Sequence, residues 1–274
     1  MKTITTSADL AVARAQLNGS VGFVPTMGAL HRGHLSLVER ARAECDAVVV
    51  SVFVNPLQFG PSEDFASYPR DESADAGLLA DAGADLLFLP AVEEMYPPGR
   101  STTVSVGPIG EVLEGADRPG HFDGVATVVA KLFNLVDPTV AYFGQKDAQQ
   151  VAVIKQMVRD LSFDIEVSVC PTIREPDGLA MSSRNAYLSP EERSRAPAIY
   201  RAMVAGAETL REEDFDAAEK KMWDLLVTEG LDPSYASVVD PTTFGPPPAD
   251  GPVLLVVAAR LGSTRLIDNL PTDR

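Results

Sequence analysis

The sequence is short of several things, and each shortage closes off a class of protein. Cysteine occurs twice in 274 residues, at Cys45 and Cys170. That is too few for a disulfide framework, so a reducing, cytoplasmic setting is expected. Basic residues are outnumbered: 23 Lys and Arg stand against 39 Asp and Glu, for a formal net charge of −16. Such a field repels nucleic-acid backbones and anionic membranes, so neither is expected as a partner. A small anionic ligand stays open, because salt screens charges beyond about 10 Å. Long apolar runs are missing. Residues 47–54 form one of the longest, are interrupted by Ser51, and fall far short of the ~20 residues that span a bilayer. The opening Met1-Lys2-Thr3-Ile4-Thr5-Thr6 lacks the apolar core of a signal peptide. Histidine is scarce as well, at three residues, which makes the placement of each one informative.

What the chain does have is alternation. Residues 21–24, 47–54, 85–89, 139–143 and 164–169 read as strands, the second of them apolar enough to be buried on both faces of a parallel sheet. Between them lie helical patterns: a first helix capped by Ser7 and running to residue 17, another carrying Leu35, Leu37, Val38 and Ala41, and others at 73–82, 124–136 and 148–161. This order predicts a Rossmann-like α/β domain over residues 1–175. Beyond a polar loop at 175–189, Ser189-Pro190 caps and opens a helix over 190–208. A helix at 216–228 and short strands at 235–239, 253–259 and 264–267 follow. They predict a smaller α+β domain over 176–274, with the boundary in the 173–185 region.

Two of the three histidines fall at the junction of the first long strand and the helix after it, as His31-Arg32-Gly33-His34. A helix N-terminus offers unpaired N–H groups and the positive end of a dipole to an anion. Gly33 clears a side chain from the path of a phosphate, and two imidazoles can hydrogen-bond a polyphosphate and stabilise charge developing on it. Half of a metal site is one alternative, and it would need further ligands. A merely polar helix start is another. Three more segments follow strand or loop ends. Asn55 and Gln58 sit among apolar neighbours, as suits a small hydroxylated substrate. Gly144-Gln145-Lys146-Asp147 puts an ammonium at a strand end. Met181-Ser182-Ser183-Arg184 offers hydroxyls, backbone N–H groups and a guanidinium in a loop able to cover a polyphosphate.

A His-x-Gly-His motif after the first strand, with Met-Ser-Ser-Arg about 150 residues later, resembles the nucleotidyltransferase superfamily that includes class I aminoacyl-tRNA synthetases. Adding Phe53 to Phe59, Arg118-Pro119-Gly120-His121-Phe122-Asp123-Gly124-Val125 and Phe143 to Gln150, the region from about residue 21 to 190 is similar to the pantothenate synthetase (pantoate–β-alanine ligase) family. The resemblance implies that pantoate attacks the α-phosphorus of ATP to give pantoyl adenylate and pyrophosphate, and that β-alanine then displaces AMP. It implies Mg2+ with the ATP and a homodimer. It implies ATP binding by Met27, Gly28, Ala29, Leu30, His31, Arg32, Gly33, His34, Gly144, Gln145, Lys146, Asp147, Ile173, Met181, Ser182, Ser183 and Arg184. Of these, His31, His34, Lys146 and Arg184 would act on the chemistry, His34 as general acid. Gln58 and Gln150, with Asn55, would hold pantoate or β-alanine. Asp75 would be a carboxylate near the magnesium, and residues 176–274 would act as a lid. Many relatives read Gly-Glu-Lys-Asp where this chain has Gln145. Two other readings stand beside this one. A plain nucleotidyltransferase would form no amide, and a non-catalytic nucleotide-binding regulator would release no AMP.

Overall fold

The computed structural model describes residues 1–61 and 63–273. Six parallel strands organise the first part of the chain: β1 Lys2–Ile4, β2 Val21–Thr26, β3 Ala47–Val52, β4 Leu86–Phe88, β5 Val140–Gly144 and β6 Glu166–Cys170. Every residue of β3 is buried, as its run of β-branched side chains requires of a central strand covered on both faces. The helices of the chain are α1 Ser7–Arg14, α2 Arg32–Glu44, α3 Glu72–Asp81, the short α4 Val92–Met95 and α5 Glu114–Asp117, α6 His121–Val136, α7 Ala148–Asp160, α8 Pro190–Arg195, α9 Ala198–Leu210 and α10 Phe215–Thr228. On one face of the sheet, Val24, Val48 and Val50 pack with Leu37, Val38 and Ala41 of α2 and Leu79 of α3. On the other, Phe133 of α6 meets Phe23 and Phe143 edge-on, each with centroids 6.4 Å away.

The strand order is β1-β4-β3-β2-β5-β6. From β2 the chain winds first to β3 on one side and later to β5 on the other, so the direction of winding reverses at β2. Open α/β sheets take their ligands at the carboxyl end of such a strand. The loop leaving β2 carries Met27 to His34.

The second part is an antiparallel sheet, β7 Asp232–Val239, β8 Pro252–Leu261 and β9 Thr264–Asp273, in that order. Leu255 and Val257 share a core with Ile199 and Met203 of α9 and Met222 and Leu226 of α10. The division between the two parts is not the single cut expected at 175/176. One compact unit comprises Met1–Glu111, Gly115–Gly144 and Val153–Cys170, and the other comprises Val112–Glu114, Gln145–Ala152 and Pro171–Arg274. Within the second unit, Glu114 pairs with Arg265 at 2.7 Å, and its backbone N–H donates to Gln149 at 3.2 Å. These bonds recruit short stretches from earlier in the chain.

Other expectations shift locally. Thr6, not Ser7, caps α1, its hydroxyl accepting from Asp9 N. The helix expected over 190–208 breaks into α8 and α9 at Pro197, which has no N–H to continue the ladder. Strand β9 runs six residues beyond the expected 264–267, through Asp268, Asn269 and Pro271.

One close approach fixes the first unit beside β3. An added Cβ on Gly124 of α6 would lie 2.3 Å from the carbonyl oxygen of Leu57, so only glycine lets this helix meet the Pro56–Gln58 turn. Gly124→Ala is expected to destabilise the fold by about 1–3 kcal/mol through overpacking. A lowered urea midpoint with an unchanged slope would show it.

Candidate active site

The loop after β2 is built on two left-handed residues in succession, Gly28 at φ +84° and Ala29 at φ +50°. This turns the N–H groups of Ala29 and Leu30 onto the carboxylate of Asp75, at 2.9 and 2.8 Å. Asp75 is buried on α3, and both of its oxygens accept backbone bonds. It therefore serves as the internal anion of a backbone nest. Among the described residues, no group of three or more His, Cys, Asp or Glu could hold a metal ion.

His31 and His34 cap α2 reciprocally. His31 Nδ1 accepts from Gly33 N at 3.1 Å, and His34 Nδ1 accepts from His31 N at 3.3 Å. The rings lie 4.1 Å apart at 39°. This is the capping-box arrangement, with imidazoles in place of the usual hydroxyl and carboxamide. Because each Nδ1 accepts, the neutral rings carry their proton on Nε2, a tautomer that follows from the partners. Each ring is thus a hydrogen-bond donor on the side away from the backbone. An imidazolium at His34 would carry a proton on Nδ1, the atom that accepts from His31 N in this cap. The exposed Arg32 guanidinium pairs with Glu39 on α2.

Beyond β3, Asn55 is 1 % exposed and fully engaged. Its Oδ1 accepts from Leu57 N at 3.2 Å and from the Tyr96 hydroxyl at 2.8 Å. Its Nδ2 donates to Gly124 O at 3.0 Å and to Gln58 Oε1 at 2.9 Å. Burial pushes the Tyr96 hydroxyl pKa up, which keeps it a donor. With its polar atoms bonded to the protein, Asn55 holds the side chain of Gln58. Gln58 Nε2 points at Met27 Sδ, 3.2 Å away, so the structure brings these two expected site residues together.

Reading for motifs left three residues around Gln58 without a role. His121, 8 % exposed, sets Nδ1 2.8 Å from Gln58 O and Nε2 3.1 Å from an Arg118 nitrogen. The carbonyl only accepts and the guanidinium only donates, so His121 carries its proton on Nδ1, the opposite tautomer to His31 and His34. Arg118 also reaches Gln58 O at 3.2 Å and pairs with Glu63 at 2.6 Å. The segment Arg118 to Val125 is conspicuous in the sequence, but nothing in it names Gln58 as the target.

In the second unit, Gln145–Asp147 form a 3-10 turn, and Lys146 Nζ lies 3.2 Å from Asp147 Oδ1. Gln150 is half-buried in the first turn of α7. Met181 N donates to Ile173 O at 2.9 Å, bringing these two expected nucleotide contacts together. Ser182 caps the turn Ser183–Tyr187, its hydroxyl accepting from Arg184 N at 3.3 Å. Gly144 closes β5 in the first unit, paired with Cys170.

A histidine-capped helix start at the end of a sheet strand admits many chemistries, and comparison with known proteins narrows them. Residues 1–271 match the sequence family described as pantoate-beta-alanine ligase. The chain belongs to the pantoate–β-alanine ligase family. It is 56% identical to a pantothenate synthetase of Chloroflexus aggregans over 274 residues, 98% of this chain and 99% of that protein. The crystal structure of pantothenate synthetase from Thermus thermophilus matches with a TM-score of 0.94 at 54% identity, covering 98% of this chain and 99% of that one. The Francisella tularensis ligase, solved with beta-gamma ATP and β-alanine, matches at 36% identity and TM-score 0.81, covering 98% and 97%. Membership bears out the family resemblance and the α/β fold read from the sequence. Among the described residues no helix is long and apolar enough to cross a membrane.

Burial alone would raise the Glu63 carboxyl, but hydrogen bonds and charge from Arg118 hold it below the usual carboxylate range. A depressed folded pKa means stability that is present above the unfolded value, about 4.3 for glutamate, and lost as pH falls through the lower folded value. Denaturant titrations should show Glu63→Gln less stable than the parent near neutrality. The difference should shrink as pH drops below about 4; a difference independent of pH would remove Glu63 from the network.

Proposed function

We propose that this chain condenses pantoate with β-alanine using ATP, through pantoyl adenylate. In the first step a pantoate carboxylate oxygen bonds to the α-phosphorus, the bond from that phosphorus to the bridging oxygen breaks, and pyrophosphate leaves. In the second, the β-alanine nitrogen bonds to the acyl carbon, the carbon–oxygen bond to AMP breaks, and the nitrogen sheds a proton. Transfers of this kind need positioned positive charge more than a protein nucleophile. The reciprocal histidine cap at the switch-point strand carries the reading, because it aims two N–H donors and a helix dipole outward from one place. Lys146, Ser182, Ser183 and Arg184 add an ammonium, two hydroxyls and a guanidinium toward the triphosphate. The backbone from Met27 to His34, with Gly144, Gln145, Asp147, Ile173 and Met181, completes the nucleotide contacts.

Gln58 is proposed to hold pantoate together with Gln150. A thioether is a weak acceptor, so a pantoate oxygen replacing Met27 Sδ would improve the bond made by the Gln58 amide. Magnesium enters as part of the substrate, bound to the phosphates; it prefers phosphate oxygens and retained waters to an all-protein cage. Residues 176–274 are proposed to shield the adenylate from water while the amine arrives. The cytosol as its compartment and a homodimer as its assembly complete the proposal, and sedimentation of the purified protein tests the latter.

His34→Ala should slow pyrophosphate release roughly 10²–10³-fold, with the circular dichroism spectrum retained. Near-normal release would remove His34 from the chemistry. Oxygen label in the pantoate carboxylate should appear in AMP once β-alanine is added, because that oxygen bridges carbon and phosphorus in the adenylate. Label recovered in inorganic phosphate would instead demonstrate an acyl-phosphate route through ADP.

A further inference from the structure

Asn269 lies on β9 opposite Val256 and is 3 % exposed. Its side chain closes on the turn that carries Lys146. Nδ2 donates to Gln145 O at 2.8 Å and to Lys146 O at 2.9 Å, and Oδ1 accepts from Gln145 Nε2 at 2.9 Å. Asn269 is itself fixed from behind. Its backbone N–H donates to Asp268 Oδ1 at 2.8 Å. Two guanidinium nitrogens of Arg174 grip the buried Asp268 carboxylate. Arg174 also stacks over the Tyr200 ring at 4.1 Å and reaches Gly178 O at 3.1 Å. A buried strand residue thus spends its whole amide on two successive carbonyls and one side chain of a nucleotide loop.

We infer that Asn269 is the positioning residue for Lys146, and that Gln145 is its required partner. The argument is one of donors and acceptors. The amide of Asn269 has a donor end and an acceptor end. The donor end is committed to the carbonyls of residues 145 and 146, so the acceptor end must face whatever stands at 145. A glutamine meets it with an N–H; a glutamate would set a carboxylate against a carbonyl oxygen. Turning the amide over to satisfy a glutamate would withdraw both bonds from the backbone that carries Lys146. The glutamine is therefore the matching partner of this lock. It also adds no further carboxylate beside Lys146, which already pairs with Asp147 at 3.2 Å.

This inference rests on the proposed contact between Lys146 and the triphosphate, and a set of variants separates the two. Asn269→Ala, Gln145→Glu, Lys146→Ala and the two double variants with Lys146→Ala are assayed for single-turnover pyrophosphate release with ATP and pantoate, with thermal denaturation of each. Gln145 lies on a half-buried turn, so its variant guards against a folding failure of Asn269→Ala. Asn269→Ala and Gln145→Glu should each slow release by about 10-fold or more, as misplacement of a catalytic group does, with the KM for pantoate unchanged. Neither should slow the Lys146→Ala enzyme further, because the group they position is already gone. Full rates in both single variants, or equal slowing with and without Lys146, would overturn the positioning role. Unchanged release in Lys146→Ala would overturn the assignment of Lys146 itself, and the positioning role with it.

Discussion

The constraint on which the site depends is the set of unpaired backbone groups left where a strand ends and a helix begins. At the carboxyl end of β2 the first N–H groups of α2 need acceptors; the His31 ring supplies one to Gly33 N, and the His34 ring supplies one to His31 N. These bonds fix both ring orientations and both tautomers. The loop before it is fixed by the same logic: Asp75 supplies acceptors for Ala29 and Leu30 and holds open a left-handed turn that Gly28 makes accessible. With these backbone groups satisfied, the helix dipole and the two imidazoles stand together at the start of α2.

The same design recurs around the other candidate side chains. Asn55, Arg118 and His121 hold Gln58. Asn269 holds the turn bearing Lys146. In each case a buried polar residue is saturated by the protein and holds a candidate site residue beside it. Buried amides and imidazoles are costly unless fully bonded, so these residues tolerate few geometries. That intolerance transmits precision to their neighbours, as a second layer of support does in any preorganised site.

How much of this was legible follows from which signals are local. The apolar run of β3, the alternation of strands and helices, and the paired histidines are written in contiguous residues, and they were readable. Strand β1 was not; its three residues have no period to detect, and its pairing with Leu86–Phe88 of β4 is a long-range fact. The break at Pro197 was readable in principle, but the Ser189-Pro190 start and the apolar pattern after Pro197 suggested one helix. Asn55 looked like a substrate residue because its type and place fit, and only its partners Tyr96 and Gly124 show that its atoms are spent. Asp268 and Asn269 worked against the strand pattern, so β9 was cut short at the two residues that matter most to the Lys146 turn. Polar residues placed where propensity disfavours them are where local reading fails and function concentrates.

The interleaving of the two units along the chain carries a consequence in time. Glu114 waits for a partner 151 residues downstream, and the turn at Gln145 and Lys146 waits 124 and 123 residues for Asn269. A chain emerging residue by residue can complete β2, the histidine cap and the Gln58 network long before it can pin the lysine. During that interval the nascent protein holds part of its machinery finished while the lysine turn still lacks its clamp. Contacts of such long separation also close late in refolding of the whole chain, since the entropy of large loops must be lost first. Assembly of the Lys146 turn therefore comes only after β9 has been made, and late in folding.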